Sequence, residues 1–105
     1  MSVNSTPPSQ VLRLDQSGDV VFADMATCAV ATAQVTSPSW GSGVVTLRRS
    51  NDALNWYALE YAITFSSDAI SAGLDVHSFR YLGAVVTTVG SANATAQVTF
   101  YGFAE

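Results

Sequence analysis

The last strand-like run, Ala94 to Phe103, alternates strictly. Ala94, Ala96, Val98 and Phe100 fall on one side, and Thr95, Gln97, Thr99 and Tyr101 on the other. A period of two places successive side chains on opposite faces of a pleated strand, so this run demands one buried and one wet face. Shorter stretches of the same kind recur along the chain, with turn clusters between them at spacings of 8–12 residues. Alanine, valine, serine and threonine make up about half of the sequence, whereas glutamate is scarce and lysine absent. Valine and threonine are stiff at χ1 and pack well on a pleated surface, which favours strands over helices. In 105 residues the punctuation allows seven to nine short strands. The expected architecture is all-β, an antiparallel β-sandwich, jelly-roll-like or a flattened barrel.

The punctuation also sets the expected boundaries. Residues 1–10 are polar and carry Pro7-Pro8, which predicts a flexible arm outside the sheet, ahead of one sandwich domain over residues 11–105. Asp15 to Asp19, with Gly18 able to take a positive φ, reads as the turn of a hairpin between Val11–Leu14 and Val20–Ala23. Thr27–Val35 and Val44–Ser50 are the next strands, and Leu59, Tyr61, Ile63 and Phe65 alternate as a further one. Ser66–Gly73 lacks alternation and leaves room for a short helical turn. Phe79–Thr88 and Ala94–Phe103 are expected to pair as a C-terminal hairpin.

Charge narrows the choice of function. Only 11 % of residues are charged, and four arginines against eight acids give a net charge of −4. That sign opposes binding to nucleic acid through counterion release. Without lysine there is no Schiff base and no phosphate-binding lysine. No apolar run approaches the roughly 20 residues of a membrane span, and the N-terminus has no signal-peptide pattern. The four arginines, Arg13, Arg48, Arg49 and Arg80, lie in or beside expected strands, and arginine is the cation that interfaces best accept.

Candidates for chemistry are few. His77 stands beside Asp75 and Ser78, but three residues crowded into one loop do not easily align nucleophile, base and orienting acid, so His77 reads as a hydrogen-bonded loop histidine. One histidine and Cys28 cannot close a zinc site, and Cys28 reads as a buried small hydrophobe. Asp15, Asp19 and Asp24 lack the ligand register of a calcium loop. Glu60 falls on the polar side of its run and reads as a solvated charge rather than half of a glycosidase pair. Neither a cofactor nor a metal is expected, and no catalytic residue is assigned. The aromatic residues remain. Trp56 after a polar turn suits a plug at the end of the sandwich core, whereas Trp40, between Pro38 and Gly41-Ser42-Gly43, is equally suited to a partner contact.

The string Gly43 to Asp52, followed by Asn55-Trp56 and Leu59, resembles the "strand, Ser-Asn-Asp-Gly, Asn-Trp" pattern of small β-sandwich virion proteins of tailed bacteriophages. Ala72 to Val76, Phe79-Arg80-Tyr81 and Val85 to Gly90 continue the resemblance, which covers Val11 to the C-terminus. Ala53 stands where glycine is usual, which predicts a longer loop than a two-residue mirror-image turn. The resemblance implies a non-enzymatic virion component: a head decoration (cement) protein, or a head-fibre or tail-associated module. Such a protein would assemble with itself, a trimer being the expected form, and bind the major capsid protein or another virion protein. The expected contact residues are Pro7, Pro8, Trp40, Arg48 and Arg49. The alternative is a carbohydrate-binding or host-recognition module using Trp56 and Tyr57 as stacking faces and Asn51, Asp52 and Asn55 as hydrogen-bond partners.

Overall fold

The structure, a computed structural model, describes residues 2–3 and 9–104, with side chains from residue 9 onward. Its strands are β1 (Ser2–Val3), β2 (Gln10–Arg13), β3 (Val20–Asp24), β4 (Val30–Thr36), β5 (Val44–Ser50), β6 (Tyr57–Ala58), β7 (Thr64–Phe65), β8 (Ala69–Ile70), β9 (Leu74–Asp75), β10 (Tyr81–Thr88) and β11 (Thr95–Ala104). They form two antiparallel sheets packed as a β-sandwich. In the first sheet β11 is central, bordered by β1 and β2 on one side and by β4 on the other, and β4 carries β8 and β9 on its far edge. The second sheet runs β3-β10-β5, with β6 and β7 on the outer edge of β5. The segment count exceeds the expected seven to nine because five segments are two-residue bridges clipped onto the edges of β11, β4 and β5.

The core fills the space between the sheets with the residues that alternation selects. Ala96, Val98 and Phe100 of β11 and Ala31, Ala33 and Val35 of β4 meet Val45 and Leu47 of β5 and Leu82, Ala84 and Val86 of β10, all buried. Leu12 and Leu14 complete it from β2 and the turn beyond. Alanine on two neighbouring strands keeps the layer thin, and Phe100 and the leucines fill what remains.

Five local expectations are corrected. The turn after Leu14 is not a hairpin. Gly18 does take a positive φ of 82°, but β2 pairs with β11 and β3 with β10, so the turn passes the chain from one sheet to the other. The C-terminal hairpin fails in the same way, since β10 and β11 lie in different sheets and Asn93, at φ 63°, reverses the chain between them. Two strands with equally apolar inner faces can pair side by side or stack face to face, and alternation is the same in both. Of the single strand expected across Leu59–Phe65 only its end is strand, as β7, with β6 lying just ahead of Leu59. Both pair with β5, where only Leu47 separates the two sets of partners, while residues 59–63 form an excursion between them. Ser66–Gly73 holds the bridge β8 rather than a helical turn. At the N-terminus, Ser2–Val3 pairs with the end of β11 and Gln10 begins β2, so the sheet reaches into the span read as an arm. Pro7 and Pro8 lie outside the described residues.

Candidate functional site

The loop from Asn51 to Trp56 organises one end of the second sheet. Buried Ser50 donates through Oγ to Asp52 Oδ1 at 2.9 Å and accepts the Ala53 amide at 2.9 Å. Asp52 also accepts the amides of Leu54 and Asn55 and, on Oδ2, the Asn55 side-chain amide at 2.8 Å. The backbone N–H of Asn55, then that of Leu54, then the Asn55 and Ser50 side chains hold the Asp52 carboxyl far below its ordinary range. Asn51 Oδ1 accepts the Arg80 amide at 3.0 Å, fastening the loop to the start of β10. Three of the five residues expected to bind sugar, Asn51, Asp52 and Asn55, are thus engaged in building this loop. The longer loop expected from Ala53 is present, and Ala53 itself sits at φ 62°.

Trp56 and Tyr57 leave the loop in opposite directions, as neighbours in extended chain must. Tyr57, 62 % exposed, lines a cleft of about 410 Å³ with Arg49, Asn51, Asp52, Ser78 and Phe79. An adjoining recess of about 310 Å³ shares Arg49, Ser78 and Phe79 and continues to Leu59, Ile63 and Leu74. Arg49 falls on the inward side of β5, beyond Val45 and Leu47, and its Nε donates to the Ala58 carbonyl at 3.0 Å. Its place at the open end of the core lets a charged group occupy an inward position without being buried.

Trp56 is not a plug for the sandwich core. It lies on the outer face of the second sheet, over Gly83. The position a Cβ would take on Gly83 is 2.5 Å from Trp56 Cζ3 and 2.8 and 3.0 Å from the bonded atoms Cη2 and Cε3. These near-equal distances belong to a point above the ring face, since a point in the ring plane beyond Cζ3 would be markedly farther from its two neighbours. The indole therefore lies flat on the strand, and only glycine allows that approach. Phe22 stands beside it at 5.6 Å between centroids, tilted by 46°, and Tyr81 meets Phe22 edge-on at 5.6 Å. Arg80 lies over the Tyr81 ring and pairs with Asp24 at 3.0 Å. Its guanidinium, followed by the Ala26 amide, lowers the Asp24 pKa.

Trp40 is placed differently. Its Nε1–H donates to Asp68 Oδ1 at 2.7 Å, and the same oxygen accepts the Ser37 amide. The indole N–H first, then the Ser37 amide, hold Asp68 below the usual carboxylate range. The ring packs half-buried against the core.

His77 is a hydrogen-bonded loop histidine, with Nδ1 2.6 Å from Asp75 Oδ1, which also accepts its amide. Cys28 is half-buried at the edge of the core, against Gly102. Asp15, Asp19 and Asp24 are engaged separately, with the Asn93 amide, the Arg13 amide and Arg80. Among the described residues, no three acidic, histidine or cysteine side chains converge to hold a metal ion.

The sequence reading missed Phe22, Tyr81 and Gly83 as parts of a site. A signal was present, because a glycine inside the strand Tyr81–Thr88 marks close approach by another group, and Trp56 is the large side chain able to make it. No family model, no curated protein and no solved structure matches this chain.

Proposed function

We propose that this protein is a non-enzymatic structural subunit of a bacteriophage virion, a head decoration protein that assembles with copies of itself and binds the shell. The outer face of the first sheet is the observation that carries this reading. Thr32, Gln34 and Thr36 of β4 lie opposite Tyr101, Thr99 and Gln97 of β11, with Thr95 beyond them, to form a surface of hydroxyls and amides. Val11 and Ile70, 58 % and 60 % exposed, continue its cross-strand rows through Gln97 and Gln34. Among the described strand residues of this face, charge occurs only at opposite corners, on Arg13 and Asp75. Soluble surfaces usually intersperse charges, and a neutral face with exposed aliphatic side chains is suited to being covered.

Size supports the same reading. The molecule measures 40 × 25 × 20 Å, and its broad side is on the scale of the roughly 800 Å² per partner that a stable interface buries. The mechanism would be mechanical, each copy bridging neighbouring shell subunits so that shell expansion must break added contacts. Arg49 would serve as a contact at the second sheet, whereas Trp40 has its indole N–H held by Asp68.

Sedimentation equilibrium tests the assembly, with co-pelleting on purified phage shells testing the partner. The expected result is a trimeric mass that Gln34→Lys with Gln97→Lys reduces to a monomer. A monomeric native protein that stays in the supernatant would overturn the proposal.

A further inference from the structure

The geometry points to a saccharide-binding platform on the opposite face of the molecule, and we propose that a pyranose ring stacks on the solvent side of Trp56. This inference stands independently of the assembly reading. Three observations carry it. The indole lies flat on Gly83, so one ring face is covered by backbone and the other faces away from the strand, in a residue that is only half-buried. Its Nε1–H has no hydrogen-bond partner among the described residues and is not a buried unpaired atom, so it reaches solvent as an available donor. Arg48 shares a cross-strand row with Gly83 and Phe22, which puts it on the same outer face as the platform, one strand from Gly83.

Arg48 differs from the other three arginines in being uncommitted. Arg13 lies 3.7 Å from Asp15, Arg80 pairs with Asp24 and Arg49 donates to a carbonyl. Arg48 makes no ion pair or hydrogen bond among the described residues, although it is half-buried on its face. A flat ring with an open face accepts the axial C–H groups of a pyranose, and N–H groups at its rim donate to hydroxyl oxygens. An indole N–H and a guanidinium supply donors only, and sugar hydroxyls and ring oxygens supply the acceptors they lack. Phe22, tilted beside the indole, gives the platform a raised edge. A lone aliphatic or aromatic partner would use the ring but leave both donors unanswered.

The two tryptophans make the protein its own control. Titrating the full chain with cellobiose or chitobiose, while following the two indole N–H signals by ¹H–¹⁵N NMR, should move the Trp56 signal saturably and leave that of Trp40 in place. Sorbitol, which has the hydroxyls without the ring, should move neither. Arg48→Gln should weaken binding by about tenfold, the loss of one charged hydrogen bond, and leave the unliganded spectrum otherwise unchanged. Trp56→Phe, which keeps an aromatic cover on Gly83, should weaken binding more than it lowers stability. The proposal is overturned if neither disaccharide moves Trp56 more than Trp40, if sorbitol moves it as far, or if Arg48→Gln binds as well as the native chain.

Discussion

The two outer faces of this sandwich are built from strands of similar length, yet they solve the problem of exposed sheet in opposite ways. The first sheet presents hydroxyls and amides standing in rows, with the rings of Tyr101 and Phe103 confined to one end of β11. The second presents a glycine in the middle of β10 and covers it with an indole brought in from a loop. Val85, on the same outward side as Gly83, is only 6 % exposed. One face is flat and neutral. The other has a small apolar layer of its own, made from Phe22, Trp56 and Tyr81. The difference shows that a sheet's outward side need not be uniform surface, because a single glycine can turn it into a seat for an aromatic ring.

The tryptophans repeat the contrast on a smaller scale. Trp40 has its N–H tied to Asp68, and its ring joins the core. Trp56 has its ring seated and its N–H unengaged. A residue type enriched at binding surfaces thus has one structural and one available copy in the same domain.

Several substitutions would break or sharpen this comparison. The largest effect is expected where the two faces share support. Phe100→Ala removes the largest fully buried side chain between the sheets and should cost about 3–5 kcal/mol in denaturant unfolding, with both indole environments lost together. Gly83→Ala should act on the second face alone. Its new methyl would meet the Trp56 ring, costing about 1–3 kcal/mol and raising acrylamide quenching of Trp56 while Trp40 stays protected. Equal changes at both tryptophans would show that the two faces are not independent.

Ala53→Gly should have a smaller effect of opposite sign. Ala53 sits at φ 62°, a region that disfavours a Cβ, so relief should stabilise by about 1 kcal/mol in the same unfolding assay. The smallest effects are expected from acid. Asp24, Asp52, Asp68 and Asp75 all have lowered pKa values in the folded protein. As pH falls the unfolded chain therefore binds protons first. The stability these groups lend is whole above the ordinary carboxylate pKa of about 3.9 and is lost as pH falls toward their folded values. Asp52→Asn, which removes the carboxylate with the most donors, should flatten the acid limb of the denaturation midpoint against pH more than Asp68→Asn does.

Much of the fold was legible in the residues. Alternation placed Ala96, Val98 and Phe100 inward and Gln97 and Thr99 outward, and it did the same for Val45 and Leu47. Gly18 marked a reversal, and Ala53 marked a longer loop. These features depend only on period two and on backbone sterics, which act within a few residues. Of the candidate site, Trp56 was legible as an aromatic of interest, but its seat was not, because Phe22, Gly83 and Arg48 come from three different strands.

The sequence by itself determined which side of each long strand faces the core, where the chain reverses and how little charge its surfaces carry. Tertiary structure decided which strands are neighbours, because an apolar strand face is buried equally well by pairing within a sheet or by stacking across the sandwich. That choice sent β2 and β3, and likewise β10 and β11, to opposite sheets. It also aligned Arg48, Gly83 and Phe22 in one row beneath Trp56. A register is a property of pairs of strands, and no single strand carries it.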